Sequence, residues 1–204
     1  MNRFNHTFSL LMRSLGIILL CCLLTHCSIF SPVPHQQGNI YELSLPSPPC
    51  QDRRHQFIYV APMQTYPGLN TSGMRYSIKP YEINYFSKNR WVASPTDMLQ
   101  PLLVTHLQQV FTDASTLQLP NTRLTLKTTL EEFEQVFLGS KSEFHLTMHV
   151  EIVQEKTGKT LTSTTLCLVE PVATATPYGG VIAANKTVDS LFNKIDYLIR
   201  QASP

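Results

Sequence analysis

Four side chains capable of acid–base or metal-binding chemistry occur close together in the segment EFHLTMHVE. Glu143, His145, His149 and Glu151 alternate with apolar residues, so they share one polar face of a predicted strand. Four residues of strand separate the two histidines by about 13 Å, which is too far for them to share a metal ion. A solvated sheet face is therefore the prediction for all four. The remaining candidate, His106, lies in a separate segment with no recognisable catalytic pattern around it.

A glycine pair offers the other candidate chemistry. Tyr178, Gly179 and Gly180 precede a predicted helix, where backbone N–H groups can bind an anion. No Lys, Ser or Thr completes a phosphate loop, and the alternative is a turn that needs close backbone approach. The sequence also contains neither GxSxG nor HExxH. We therefore predict no catalytic residue, no metal site, no cofactor and no enzymatic activity.

Cysteine 27 is the residue whose surroundings indicate a covalent modification. Arg3 and Arg13 precede an apolar run at 15–24, which has the layout of a secretory signal. The run is shorter than the roughly 20 apolar residues that span a membrane. LLTHCSIF resembles the bacterial lipobox, although His26 stands where Gly, Ala or Ser is usual. The alternatives are an ordinary signal peptide and a buried N-terminal helix.

Lipidation would decide both the domain organisation and the location. Residues 1–26 are then a signal peptide, 27–39 a lipidated tether and 40–204 a periplasmic domain. A diacylglycerol and an N-acyl chain on Cys27 would place three acyl chains in a bilayer, and two or more hold firmly. Ser28, rather than Asp, follows the cysteine. By the bacterial sorting rule, this predicts the outer membrane, on its periplasmic side.

The charge balance argues against nucleic acid as a partner. The chain has 16 basic and 14 acidic residues. Loss of Arg3 and Arg13 with the signal leaves 14 of each, whereas nucleic-acid binding usually shows as a basic surface. The same balance provides no polybasic segment for anionic lipid.

Cys50 and Cys167 are the other cysteines outside the predicted signal. The periplasm is oxidising, so a disulfide between them is allowed. It would close a loop of over 100 residues and stabilise the fold by about 4 to 5 kcal/mol in the chain-entropy model. The alternative makes Cys167 a small buried apolar residue and Cys50 a loop thiol.

The periodicity predicts an α+β fold. Ser94, Pro95 and Asp97 indicate the start of a first helix, which Pro101 should kink or delay. Strands are predicted at 40–45, 56–60, 74–78, 81–86, 124–130, 144–152 and 160–170. A bulge is predicted before Phe133, and a final helix at 180–199. This order predicts a mostly antiparallel sheet of about six strands with both helices packed on one face.

Several of these segments together resemble a known family. They are the lipobox, YEL at 41–43, FIYVAPM at 57–63, NRWVASPTDMLQPLL at 89–103, LEEFEQVF at 130–137 and YGGVIAAN at 178–185. Their order is similar to that of ABC-type transport auxiliary lipoproteins of the Pqi type. The resemblance implies an outer-membrane lipoprotein without enzymatic activity. It also implies docking to an MCE-domain protein that an ABC transporter serves, with phospholipid or another hydrophobic molecule as cargo.

A docking domain needs an exposed partner surface, for which Trp and Tyr are favoured residues. The candidates are Trp91, Tyr81, Tyr85, Phe86 and the segment Tyr178, Gly179 and Gly180. The alternative for Trp91 is a position in the core beside the first helix. Contact with phospholipid and a homo-oligomer are compatible with the resemblance. The alternative functions are a periplasmic lipid-binding chaperone and a general envelope-assembly lipoprotein.

Overall fold

The computed structural model describes residues 38–45 and 54–202, with side chains from residue 56 onward in the second range. The predictions for the signal, Cys27, Ser28 and Cys50 lie outside these residues, as does the tether before Gly38; its last residue, Asn39, begins β1. Within them, the elements are β1 (Asn39–Tyr41), β2 (Arg54–Val60), β3 (Gln64–Thr65), β4 (Gly73–Ser77), β5 (Asn84–Trp91), α1 (Pro95–Val110), β6 (Phe111–Ser115), β7 (Leu124–Leu138), β8 (Lys141–Gln154), β9 (Lys159–Pro171) and α2 (Pro177–Ala202).

The last three strands form a long antiparallel meander. The even-numbered residues of β8 from Phe144 to Ile152 are buried, and the odd-numbered residues between them are half-buried. The alternation predicted from the sequence is confirmed. The pairing of β7 with β8 shifts between Leu130 and Glu132, which confirms the bulge expected before Phe133.

The sheet differs from the prediction in size and in strand direction. In the described part of the chain it has nine strands and is mixed, not mostly antiparallel with about six strands. β2, β3 and β4 lie one after another along the edge of β7 that β8 leaves open, and all three are parallel to β7. β6 then pairs with β2 in parallel, whereas β5 pairs antiparallel with β4 and parallel with β1. Periodicity identifies a strand but not the direction of its partner, which is why the prediction was wrong here.

Several boundaries also differ from the predicted ones. β6 begins at Phe111, directly after α1, with no Gly or Pro between them to mark the change. The N–H of Phe111 still donates to the carbonyl of Leu107, so one residue ends the helix and starts the strand. β5 extends to Trp91, beyond the predicted end at residue 86, and β1 stops at Tyr41, short of residue 45.

The helix starts follow their capping residues. The hydroxyl of Ser94 accepts a hydrogen bond from the N–H of Asp97 at 3.3 Å, and Pro95 occupies the first turn, as predicted. α1 then continues past Pro101 to Val110. α2 begins earlier than predicted, at Pro177, and Thr176 accepts from the N–H of Gly179 at 3.1 Å.

A single hydrophobic core lies between the helices and one face of the sheet, here called the helix face. α1 and α2 contribute their apolar stripes to it, and the even-numbered residues of β8 contribute theirs. The buried side chains include Leu99, Leu103, Leu107, Met148, Val188, Leu191 and Phe192. The opposite face of the sheet, here called the open face, carries Glu143, His145, Thr147, His149 and Glu151 from β8, each of them half-buried.

Candidate interaction surface

The loop between β4 and β5 presents an aromatic residue in an unusual backbone conformation. Tyr81 has φ of 68°, in the left-handed region that bulky side chains rarely adopt. Its side chain is also fully exposed, at 106%. Backbone strain of this kind persists only where surrounding structure imposes it, and it concentrates at functional positions. The loop therefore leaves this ring exposed to solvent.

Other exposed apolar side chains surround Tyr81. Ile78 and Ile83 lie on the same loop and are 56% and 51% exposed, and Leu138, at the end of β7, is 54% exposed. We call these four residues the hairpin tip. They line a groove of about 400 Å³ whose floor is formed by charged residues of the open face.

The charged residues in the groove already have partners. The Nε of Arg75 donates to Oε2 of Glu134 at 2.7 Å, and the Glu134 side chain is almost fully buried. His145 lies between two carboxylates, with Nδ1 at 3.5 Å from Glu132 and Nε2 at 3.2 Å from Glu143. These pairs use the charges to hold β4, β7 and β8 together, which favours a structural role over a catalytic one.

The structure does not bring the two strand histidines together. His149 has its own partners, Thr165 at 3.0 Å and Glu151 at 3.6 Å, separate from those of His145. In the described residues, no three or more His, Cys, Asp or Glu side chains are arranged to hold a metal ion.

Tyr85 and Phe86 are both held by local contacts. The hydroxyl of Tyr85 donates to the carbonyl of Gly68 at 2.9 Å, and its ring covers Gly73, where a Cβ would lie 2.6 Å from the ring. Phe86 stacks on Tyr76 with ring centroids 4.4 Å apart and meets the edge of Phe137 at 6.3 Å. Tyr85 stays 43% exposed, so of the two it is the better candidate for a partner contact.

Trp91 does not belong to an exposed surface. Its side chain is 2% exposed, and its ring lies 5.6 Å from that of Phe133. The proposal of Trp91 as a surface residue is therefore corrected, and the alternative, a position in the core, is the one observed. The reason is that β5 extends to residue 91 and turns this side chain into the core.

The glycine pair at the start of α2 has a packing role. A Cβ on Gly179 would lie 2.0 Å from the carbonyl oxygen of Thr174, and one on Gly180 would lie 2.3 Å from Oε1 of Gln135. Thr176 accepts hydrogen bonds from both N–H groups, through its hydroxyl and its carbonyl. These two glycines are buried and their N–H groups are occupied, so the arrangement favours close approach over anion binding.

Tyr178 itself is exposed and adjoins a second apolar surface. It is 59% exposed, and its ring lies 6.0 Å from that of Tyr41. Ile182, one helical turn further along α2, is 45% exposed. We call Tyr41, Tyr178 and Ile182 the β1–α2 surface.

The cysteine predictions are only partly within the described residues. Cys167 is exposed on the open face of β9, which corrects its alternative placement as a buried apolar residue. Its predicted disulfide partner Cys50 and the lipidation residue Cys27 lie outside the described residues, so both modifications stay predictions.

His106 is the titratable residue that burial affects most clearly. It lies between the two helices, with its ring 5.5 Å from that of Phe192, and its Nε2 has no hydrogen-bond partner. Burial lowers the pKa of His106 below 6.5, although the carboxylates of Asp196 and Asp189 oppose the shift. Because His106 lies inside the core, we assign it a role in stability and not in binding or catalysis.

Sequence reasoning missed the apolar part of the hairpin tip. Ile78 and Ile83 read as ordinary strand residues, and Leu138 lay outside the predicted strands. A signal for the first two was present in the Lys79–Pro80 pair, which marks a turn between them. Only Tyr81 was singled out in advance.

None of the described helices is both long enough and apolar enough to cross a membrane.

Comparison with known proteins identifies the family. Residues 41–196 match the model of the ABC-type transport auxiliary lipoprotein component, so the chain belongs to this family. The family is one of transport auxiliary lipoproteins, as the resemblance implied, and it is not a known enzyme family. Membership implies a transporter as partner and an envelope-anchored location.

Solved structures agree on the fold. A Xanthomonas campestris protein of the DUF330 family superposes with a TM-score of 0.66 at 15% identity, over 77% of this chain and 92% of that one. An uncharacterized protein superposes with a TM-score of 0.64 at 14% identity, over 80% and 99% of the two chains. No curated protein sequence matches this chain.

Proposed function

We propose that this protein is the outer-membrane-anchored auxiliary lipoprotein of an ABC/MCE-type system that moves lipid or another hydrophobic solute between the two membranes. The observation that carries the proposal is the family match over residues 41–196. The lipobox at Cys27 supports anchorage, and Ser28 supports the outer membrane, with the folded domain in the periplasm. In this role the protein docks to the MCE-domain partner and catalyses no reaction.

The arrangement of the interior favours docking over lipid storage. The space between the helices and the sheet is filled by side chains such as Leu99, Leu103 and Met148, all fully buried. The hairpin groove has apolar walls, but Arg75, Glu132 and Glu134 line it as well. An acyl chain inside such a groove would lie against paired charges, which disfavours it.

The β1–α2 surface is the best candidate for the partner contact. Tyr178 and Ile182 are one turn apart on the same side of α2 and are both exposed. The segment after β1 is fixed on α2, because the N–H of Ser44 donates to Oδ1 of Asn185 at 2.7 Å. A rigid aromatic and aliphatic surface loses little conformational entropy on binding, which suits a docking surface.

A pull-down from detergent-solubilised envelopes tests the function. The lipidated protein should recover an MCE-domain protein, and Cys27→Ala controls for the anchor. Tyr178→Ser with Ile182→Ser should reduce recovery about tenfold. Tyr197→Ser, on an equally exposed tyrosine near the far end of α2, should leave recovery unchanged.

Two results would contradict the proposal. Recovery of lipid alone, from both the lipidated and the Cys27→Ala forms, would favour the lipid-binding chaperone. Recovery of neither lipid nor an MCE-domain protein would favour the general assembly lipoprotein.

A further inference from the structure

A groove lined by basic and hydroxyl-bearing residues lies between β4 and β5. Its volume is about 500 Å³, and it shares no lining residue with the groove beside the hairpin tip. Lys88 and Arg90 of β5 line it, together with Thr71 and Ser72 of the loop before β4. None of the described residues in its lining is acidic. We call it the β4–β5 groove.

The pairing of the two strands opens this groove. Gly73 pairs with Arg90 and Arg75 pairs with Tyr85, so a short stretch of β4 faces a longer stretch of β5. The longer strand has to bend away from its neighbour, as it does at a β-bulge. The ring of Tyr85 lies over Gly73 and forms part of the wall.

Lys88 and Arg90 lie on the same side of β5. They are two residues apart, and the next residue, Trp91, is buried in the core, so both cations lie on the opposite side of the strand. This part of β5 is regular, because β1 aligns with residues 89–91 without a shift. The two Cα atoms are therefore about 6.6 Å apart. Both side chains are exposed and can reach one anion.

The guanidinium of Arg90 has no carboxylate partner in the part of the chain that the structure describes. Arg75 pairs with Glu134 and Arg200 pairs with Asp196, but none of the ion pairs includes Arg90. A guanidinium in this condition can bind a phosphate group through two parallel N–H···O hydrogen bonds.

Hydroxyl groups add further donors to the groove. The hydroxyl of Thr71 accepts a hydrogen bond from the N–H of Gly73 at 3.3 Å, so its own hydrogen can be donated to a ligand. The carbonyl of Ser72 accepts from the N–H of Trp91 at 2.8 Å, which fixes this loop against β5. Ser87 contributes another hydroxyl. Cations together with hydroxyl donors are the groups that bind phosphate oxygens.

An apolar rim adjoins the basic residues. Tyr85 and Phe86 line the groove, and Ile40, which pairs with Arg90, is 52% exposed. A bare inorganic ion would gain nothing from this surface. The carbon skeleton of a phosphate ester would bury part of it, which is favourable.

We infer that the β4–β5 groove binds the phosphate group of a phosphate ester, held by Arg90, Lys88 and the hydroxyl of Thr71. A phospholipid headgroup and a small soluble ester present this same chemistry. The inference goes beyond the proposed docking function and does not rest on it, because no residue of the β1–α2 surface lines the groove.

Isothermal titration calorimetry on the lipidated full-length mature protein in dodecyl maltoside tests the site. The probes are inorganic phosphate, glycerol phosphate and dihexanoyl phosphatidylglycerol, each in about 0.15 M salt to screen long-range attraction. The variants are Arg90→Gln and Lys88→Gln. Arg123→Gln and Lys194→Gln are the matched controls, because each removes an exposed charge of the same kind outside the groove.

We expect saturable binding of an ester that Arg90→Gln weakens about tenfold and that the control variants leave unchanged. Arg90→Lys should restore part of the affinity, since it returns the charge without the paired N–H donors. Arg90→Gln should unfold at the temperature of the parent protein, because the side chain is exposed. Lys88→Gln provides an independent test of the same groove.

The three probes distinguish the sources of the phosphate group. Tighter binding of phosphatidylglycerol than of glycerol phosphate would support a lipid headgroup, and equal binding would support a soluble ester. Inorganic phosphate that binds as tightly as both esters would overturn the assignment to an ester. Absence of saturable binding, or an equal loss in Arg90→Gln and Arg123→Gln, would overturn the site itself.

Discussion

Tyr81 and Trp91 are aromatic residues at the two ends of one hairpin, and the fold treats them in opposite ways. Tyr81 is fully exposed in a left-handed conformation, whereas Trp91 is buried against Phe133. Both were candidates for a partner surface because Trp and Tyr are favoured at such surfaces. Their different roles follow from position, since one lies in a turn and the other at the last, inward-facing position of β5.

At the same scale, His106 should make the stability of the protein depend on pH. Burial lowers its pKa in the folded state below 6.5. As the pH falls below 6.5, the unfolded chain binds a proton at this residue more readily than the folded chain does. The free energy of unfolding therefore decreases toward low pH.

Urea unfolding at pH values between about 7.5 and 5.5 measures this effect. His106→Leu should flatten the dependence of the unfolding midpoint on pH. His149→Gln, on the open face of β8, should preserve it. An unchanged slope in His106→Leu would show that other groups cause the dependence.

At the scale of elements, β7 organises the sheet. One of its edges pairs with β8 over its whole length, and the other pairs with β2, β3 and β4 in succession. β7 therefore joins two groups of strands. One group is β2 and β6, and the other is β4, β5 and β1. β7 positions both parts of the hairpin tip. It pairs with β4, which leads into the loop, and it carries Leu138 as its own last residue.

The sequence predicted the elements that carry strong local signals. Alternation identified β8, and Ser94 with Pro95 identified the start of α1. The sequence could not predict that β2, β3 and β4 pair parallel to β7, because that pairing depends on contacts between segments over 50 residues apart. It also did not separate β6 from α1, since no breaker stands at Phe111. Of the tip, only Tyr81 was predicted, because exposure of Ile78 and Leu138 depends on where their strands end.

The start of α2 should tolerate no side chain at Gly179. In Gly179→Ala the new Cβ would meet the carbonyl oxygen of Thr174 at 2.0 Å, so the backbone would have to move. We expect the free energy of unfolding to fall by about 1 to 3 kcal/mol. Thermal or urea unfolding measures the change, with Ser190→Ala, at an exposed position of the same helix, as the neutral control. Equal stability of the two variants would disprove the packing role.

At the scale of the whole molecule, the proposals describe a domain held at one end. The lipid anchor would hold the domain at the bilayer, and the β1–α2 surface would stay available to a protein partner. The two contacts use separate residues, so they can be tested independently by the variants given above.

The sorting prediction belongs to this scale. Ser28→Asp should retain the lipidated protein in the inner membrane, because the bacterial sorting machinery holds back lipoproteins with Asp after the modified cysteine. Density-gradient separation of the two membranes, followed by immunoblotting, measures the distribution. Ser28→Ala should stay in the outer membrane. Outer-membrane recovery of Ser28→Asp would contradict the proposed route.

The parallel pairing of β1 with β5 has a mechanical consequence. A force applied at Gly38 along the axis of β1 would act in line with the pairing of β1 to β5. Such a load shears the β1–β5 hydrogen bonds, which must then break together, whereas a perpendicular load would open them one at a time. The Ser44–Asn185 hydrogen bond lies next along the chain and ties the load to α2. A force along this axis would therefore displace the whole domain before it separates β1 from β5.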